Sequence, residues 1–200
     1  MFTGIISHIG VFKEYRQGKK ELIIEAAEIV EKIKIGESLA VNGVCLSLVK
    51  KEDNCLLFNL SEETLRTTNL GHLRRGERLN LELPLTPSFL LSGHLITGHV
   101  DSTGNVERIL KTRTGKRLTI SLPSQLSPFL VPKGSIALNG VSLTVASIRT
   151  YSFEVELIPI TLKNSNLGDL KTGDSVNIEC DIIAKYVYNL LEKIKIVKKV

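Results

Sequence analysis

One motif in this chain is written twice, a full domain length apart. Val41-Asn42-Gly43-Val44-Cys45-Leu46-Ser47 returns as Leu138-Asn139-Gly140-Val141-Ser142-Leu143-Thr144, and Thr64-Leu65 with Asn69-Leu70-Gly71 returns as Thr161-Leu162 with Asn166-Leu167-Gly168, all displaced by 97 positions (Asn42 to Asn139). Gly76 with Asn80-x-Glu82 returns as Gly173 with Asn177-x-Glu179. Thr3-Gly4 and Gly10 return as Thr97-Gly98 and Gly104, displaced by 94 positions (Thr3 to Thr97), so the blocks differ by a short insertion. A period of about 100 residues is too long for a solenoid repeat and matches a small whole domain. The chain therefore reads as two copies of one domain, residues 1–88 and 89–185, each with a related binding site.

Within each copy, short apolar or alternating runs are separated by Gly, Asn and Asp. The first copy offers strands over residues 5–15, 21–25, 38–41, 44–50, 55–60 and 78–83. The second offers them over 96–108, 117–122, 135–138, 141–148, 153–157 and 176–181. Helical pieces are expected at 26–33, at 125–130, and after Ser61, whose hydroxyl suits a helix N-cap followed by Glu62 and Glu63. Roughly six closely spaced strands per copy predict antiparallel sandwiches or barrels, and closed barrels leave no unpaired edge. Pro84, Pro87 and Ser88 would form the hinge. From Ile182 the period turns helical, with Ile183, Val187, Leu190 and Ile194 on one seam. Two fates are open for that helix, packing on its own barrel or sharing the seam with other chains.

The composition, 42% hydrophobic and 24% charged, fills two modest cores and excludes disorder. The net charge of +5 is concentrated at Lys13, Arg16, Lys19 and Lys20 and in a tail of Lys193, Lys195, Lys198 and Lys199. Aromatics are 5% with no Trp, so a basic groove with stacking platforms for nucleic acid is not expected. No apolar run has the length of a membrane span. Three cysteines, Cys45, Cys55 and Cys180, lack CxxC spacing, which fits free thiols in a reducing compartment. The first twelve residues hold no basic side chain ahead of an apolar stretch, so a cytoplasmic location is expected. His8, His72, His94 and His99 make no metal pattern.

Cys45 and Ser47 are two apart on an expected strand and share one face, while Leu46 points to the other. Ser142, Leu143 and Thr144 repeat this in phase, so each copy presents a polar strip towards a ligand. The copies also differ: His99 stands in for Ile5, Lys133 for Ile35, Ser142 for Cys45 and Asp101 for Ser7. Similar shape with unequal chemistry suits a reaction in which like molecules play unlike roles.

Met1-Phe2-Thr3-Gly4-Ile5-Ile6, the two Asn-Gly blocks, the run from Glu63 to Gly71, Gly93-His94-Leu95-x-Thr97-Gly98-His99-Val100-Asp101, Ile158-Pro159-x-Thr161-Leu162 and Val176-Asn177-Ile178-Glu179-x-Asp181 resemble the alpha chain of riboflavin synthase along essentially the whole length. The resemblance implies two six-stranded antiparallel Greek-key β-barrels and a C-terminal α-helix over 186–200 that joins three chains. It implies dismutation of two molecules of 6,7-dimethyl-8-ribityllumazine by transfer of a four-carbon unit. No metal or organic cofactor is expected, and a lumazine synthase shell around the trimer is left open.

Carried over by position, the first-barrel pocket would use Gly4, Ile5, Ile6, Ser38, Cys45, Leu46, Ser47, Asn59, Leu60, Ser61, Glu62, Glu63 and Thr64. The second would use Gly98, His99, Val100, Lys133, Ser142, Leu143, Thr144, Glu156, Leu157, Ile158, Pro159, Ile160 and Thr161, with Asp181 nearby. Catalytic work would fall to Cys45, His99, Ser142 and Thr144, with Phe2 as an aromatic wall. Ser47 departs from the Thr usual in the family, and Ser61-Glu62 from its common pairs. A non-catalytic lumazine-binding antenna protein on the same barrels is the alternative.

Overall fold

The computed structural model describes residues 1–86 and 90–197, with backbone alone for 195–197. Pro87 and Ser88 of the expected hinge, and Lys198 and Lys199 of the basic tail, lie outside the described residues. The first copy comprises β1 (His8–Arg16), β2 (Glu21–Glu25), β3 (Ser38–Val41), β4 (Val44–Glu52), β5 (Cys55–Asn59) and β6 (Arg78–Glu82), with α1 (Glu62–Thr67) between the last two strands. They close into an antiparallel barrel in the order β1-β2-β5-β4-β3-β6. The second copy comprises β7 (Ser102–Thr112), β8 (Gly115–Ser121), β9 (Ser135–Leu138), β10 (Val141–Ile148), β11 (Ser152–Leu157) and β12 (Ser175–Cys180), with α2 (Pro159–Asn164) in the matching place. It closes as β10-β11-β8-β7-β12-β9, the same cyclic neighbours.

Alternation drives the closure. Over Val44–Leu48 of β4 and Val141–Val145 of β10 every second residue is buried and those between face outwards. Leu22, Ile24, Leu39, Leu48, Phe58 and Leu79 fill the first barrel, and Leu118, Ile120, Ile136, Val145, Phe153 and Val176 the second. Burying each such side chain contributes about 1.5–3 kcal/mol, and closure pairs every strand edge. Ser61 caps α1 by accepting the Thr64 N–H at 3.0 Å.

Three local expectations change. The first strand of each copy starts later than its apolar run, at His8 and Ser102, because residues 3–7 and 97–101 are drawn across to the other barrel. The helical pieces expected at 26–33 and 125–130 are 3-10 turns, Val30–Lys32 and Ser124–Phe129. The first is a single three-residue turn, and in the second Pro128 lacks the N–H that an α-helical bond would need. The C-terminal helix α3 (Ile182–Val197) begins where the helical period does, four residues before the 186 boundary that the resemblance implies. Asp181 sets that start by accepting the Ile183 N–H at 2.9 Å.

An asparagine network and two abutting glycines join the barrels. Asn80 Nδ2 donates to the Asn139 carbonyl and Asn177 Nδ2 to the Asn42 carbonyl, each at 2.9 Å. Asn69 N–H donates to Asn177 Oδ1 and Asn166 N–H to Asn80 Oδ1, each at 2.7 Å. These reciprocal bonds give the copies an internal two-fold relation and satisfy backbone groups that would be costly to bury alone. At the centre, a Cβ on Gly43 would sit 2.6 Å from Gly140 N, and Gly43 has φ +78°. Gly43→Ala combines a left-handed backbone with overpacking and should destabilise the protein by about 2–5 kcal/mol. A denaturant midpoint equal to that of the wild type would contradict this closeness of approach.

The α3 seam is bare. Ile183, Val187, Leu190 and Ile194 are all exposed, as are Tyr186 and Leu191. Its ties to its own barrel include an edge-on contact of Tyr188 with Phe129, centroids 5.3 Å apart, and an ion pair from Lys185 to Asp101. Of the two fates open to the helix, packing its seam on its own barrel is not the one adopted.

Candidate functional site

Each copy's Thr-Gly is anchored in its own barrel and reaches the other's polar strip. Glu82 at the end of β6 accepts from Thr3 N and Thr3 Oγ1 at 2.7 Å and from Gly4 N at 3.0 Å. Burial pushes the Glu82 carboxyl up, against the pull of those Thr3 and Gly4 donors. Glu179 treats Thr97 and Gly98 in the same way. Beyond the anchors the segments cross. Ser142 N–H donates to the Gly4 carbonyl and Cys45 N–H to the Gly98 carbonyl, each at 2.9 Å. Ile6 packs on the second-barrel core and Val100 on the first.

This corrects the pocket composition expected from the sequence. Gly4, Ile5 and Ile6 belong with Ser142, and Gly98, His99 and Val100 with Cys45, so each site is built from both copies. The glycines are required by contact: a Cβ on Gly98 would lie 2.5 Å from Cys45 Cβ, and one on Gly4 2.5 Å from Ser142 Cβ. A linear reading assigns residues to a pocket by proximity in the chain, and exchange of segments between domains breaks that assumption.

Cys45 and Ser142 are half-exposed, and Ser47, Thr144 and His99 are exposed, so the two polar strips face outwards as expected. Leu46 and Leu143 turn into the cores, as do Leu60 and Leu157, which leaves only their backbones near the outer face. Ser38 pairs with Ser47 across β3 and β4. The second-barrel site is a cleft of about 120 Å³ lined by Gly4, Ile5, Ile6, Ser142, Ile160 and Thr161. By itself the cleft is smaller than the pockets of about 300–1,000 Å³ that hold drug-sized ligands. A larger cavity of about 590 Å³ lies beside Asn59, Leu60, Ser61 and Glu62, but its lining reaches Lys20 and Leu65 and includes neither Cys45 nor His99. The polar strip and its glycine contact define the first-barrel site better than that cavity does.

Other expected residues fall elsewhere. Phe2 has no exposed surface and packs with Ala40, Ile96 and Ala137 between the barrels, supporting the site from behind rather than walling it. Glu156 is ion-paired with Arg117 on the outer face of β11, whereas its counterpart Asn59 lines the 590 Å³ cavity. Lys133 corresponds to Gly36, not Ile35: Lys133 N–H donates to the Val145 carbonyl as Gly36 N–H does to that of Leu48, each at 2.8 Å. Both residues have positive φ, +67° and +87°, a conformation that costs a lysine about 1 kcal/mol. Asp181 caps α3, and its charge bears on His94.

His94 is the residue that sequence reasoning missed. Its Nδ1 lies 2.7 Å from Ser142 Oγ and its Nε2 is buried without a partner. Burial lowers its pKa from the ordinary histidine value, opposed by the charges of Asp181 and Glu179, so at neutral pH the ring is uncharged, and in the tautomer protonated at Nε2 its Nδ1 is a base that accepts from the Ser142 hydroxyl. Gly93 makes room, since a Cβ there would meet the Thr3 carbonyl oxygen at 2.1 Å. The first copy offers Cys45 no such partner, and chemistry accounts for the difference. A serine hydroxyl needs an adjacent base, whereas a thiol is intrinsically nucleophilic. Among the described residues no cluster of His, Cys, Asp and Glu could hold a metal ion. No helix among them is long and apolar enough to cross a membrane.

Duplicated six-stranded barrels with paired polar strips define a protein with two related candidate sites. The family model for the lumazine binding domain matches twice, over residues 3–84 and 97–181. The chain is 36% identical over 195 residues to the riboflavin synthase of Actinobacillus pleuropneumoniae, covering 96% of this chain and 91% of that one. It is 34% identical to that of Bacillus subtilis over the same shares, and 37% identical to that of Mycobacterium tuberculosis, with 96% and 98% covered. Among solved structures, LumP complexed with riboflavin superposes with a TM-score of 0.83 at 25% identity, covering 90% of this chain and 99% of LumP. LumP complexed with 6,7-dimethyl-8-(1'-D-ribityl) lumazine gives 0.81 at 25%, covering 90% and 98%. The chain belongs to the lumazine-binding family that includes the riboflavin synthases.

Proposed function

We propose that the chain is a riboflavin synthase, a transferase that dismutates two molecules of 6,7-dimethyl-8-ribityllumazine to riboflavin and 5-amino-6-ribitylamino-pyrimidinedione. The observation that carries this reading is a pair of two-fold-related sites with unequal nucleophiles, Cys45 beside Gly98 and Ser142 hydrogen-bonded to His94. Two like substrates need two like cavities, and one must give a four-carbon unit while the other receives it. The 7-methyl protons of the lumazine are acidic because the carbanion delocalises into the heterocycle. His94 and His99 supply the proton transfers, one buried and uncharged, the other exposed. Backbone N–H groups of the polar strips hold the ring oxygens.

The first site would take Ser38, Cys45, Ser47, the 59–64 segment and His99, and the second Lys133, Ser142, Thr144, the 158–161 segment and Ile5. Assembly as a homotrimer through α3 would bring the first-barrel site of one chain against the second-barrel site of its neighbour. In support of that facing, Ile5 and Ile160, which line the second-site cleft, are exposed, and the α3 seam is bare in the single chain. Joining reactants in this way supplies much of the rate of a bimolecular step.

LumP's binding of lumazine and riboflavin favours a second reading, a binder without turnover. The intact nucleophile in both copies, and the His94 base on one of them, argue for the enzyme. Purified protein given the lumazine alone should accumulate riboflavin fluorescence. Tight lumazine binding with no riboflavin at saturation would establish the binder instead.

A further inference from the structure

Asp101 is the acid that the second copy carries where the first has Ser7, and neither site uses it. Both of its oxygens are engaged. Oδ2 accepts the Cys180 N–H at 2.8 Å, and Oδ1 pairs with Lys185 Nζ at 2.6 Å. Each side chain is only 21% exposed, so the pair is screened less than one on an open surface. Lys185 lies in the first turn of α3, its N–H directed to the Asp181 carbonyl at 3.3 Å. Asp101 N–H in turn donates to the Ile178 carbonyl at 2.9 Å. One carboxylate thus ties together the end of β12, the start of α3 and the segment leading into β7.

His99 stands two residues before Asp101. Upstream, Thr97 and Gly98 are anchored by Glu179, and downstream Asp101 is anchored to α3. His99 is exposed between these anchors, on a segment without strand pairing of its own. In the first copy Ser7 Oγ lies 2.8 Å from His8 Nδ1 and 3.3 Å from the Leu81 carbonyl, both in its own strand pair, and among the described residues β6 is followed by no helix. The asymmetry links two features of the second copy alone. The segment bearing the imidazole is fastened to the helix bearing the unpaired apolar seam.

We propose that the Lys185–Asp101 pair is a positioning strut through which the seating of α3 against other copies sets the 97–101 segment and so holds His99 in the first-barrel site. This rests on the riboflavin synthase reading. Lys185 is a positioning residue and touches no ligand; it acts through Asp101 and the two peptide units that separate Asp101 from His99.

Lys185→Met keeps the aliphatic stem and removes the ammonium, and Lys185→Arg keeps the charge. In Lys185→Met, kcat should fall about ten-fold while KM for the lumazine stays within about two-fold, since misplacement of a proton-transfer group weakens the transition state more than binding. Sedimentation should match the wild type, and Lys185→Arg should recover most of the loss. Asp101→Asn should fall equally, with the double variant no lower than either single one. Unchanged turnover, additive losses, or a loss that tracks dissociation and disappears on concentrating the protein would overturn the strut. The wild type is assayed alongside, and absence of riboflavin there sinks the synthase reading instead. In that case the His99 ring resonances decide: they move in Lys185→Met and return in Lys185→Arg if the strut holds, and stay fixed if it does not.

Discussion

Val187→Glu combined with Leu190→Glu should convert the proposed trimer into 22.1 kDa chains whose barrels are intact and whose turnover is reduced at least about a hundred-fold. Both positions are more than half exposed in the single chain, 51% and 60%, so the charges disturb no core. Exposed substitutions of this kind usually change stability by less than about 0.5 kcal/mol. What they remove is an apolar seam of four residues, too large a patch to leave bare without a partner. The barrels need no helix to close, because every strand already has two neighbours. Lumazine binding to each separate site should therefore weaken less than turnover. A monomer with wild-type kcat would show that the two reacting molecules meet within one chain.

Ser142→Ala and His94→Ala should each lower kcat about a hundred-fold or more, with the double variant close to either single one, because the pair acts as a unit. Lumazine affinity should change little, since the hydroxyl addresses the reacting ring and the cleft walls stay in place. The pH dependence follows from burial. His94 resists protonation in the folded chain, so below pH 6.5 the unfolded state binds a proton that the folded state refuses. Its contribution to stability is complete above pH 6.5 and declines below it, down to the depressed folded value. The acid limb of kcat should likewise lie below pH 6.5 and disappear in His94→Ala. An acid limb centred above that value would mean that His94 is not buried as the structure has it.

The duplication, the six strands of each barrel and the outward polar strips were legible because they rest on local rules: alternation, turn glycines and a repeated Asn-Gly. The same rules located Cys45, Ser142, Thr144 and Ser47 on the correct strand faces. What escaped was whatever depends on long-range geometry. The exchange of Gly4 and Gly98 between barrels joins residues 138 and 53 positions apart (Gly4 to Ser142, Cys45 to Gly98), and no period in the sequence reports it. His94 was considered only as a metal ligand, for which the histidines make no pattern, yet it lies in an irregular segment whose path is fixed by Gly93 against Thr3. Phe2 illustrates the opposite error, an aromatic credited with touching a ligand when its burial between the barrels had no local signature. Lys133 was matched to the wrong partner because a one-residue shift in a loop is visible only through the ladder bonds that flank it.

The most direct measurement counts lumazine molecules per chain by calorimetric titration of the wild type and of variants that fill one site at a time. Gly98→Leu drives a side chain into Cys45 and Gly4→Leu drives one into Ser142. Two molecules should bind per wild-type chain and one per chain in either variant, with Gly98→Leu losing the first-barrel site although the residue lies in the second copy. A single molecule per wild-type chain, or a Gly98 substitution that empties the Ser142 site and leaves the Cys45 site occupied, would contradict paired sites built by exchange between the copies.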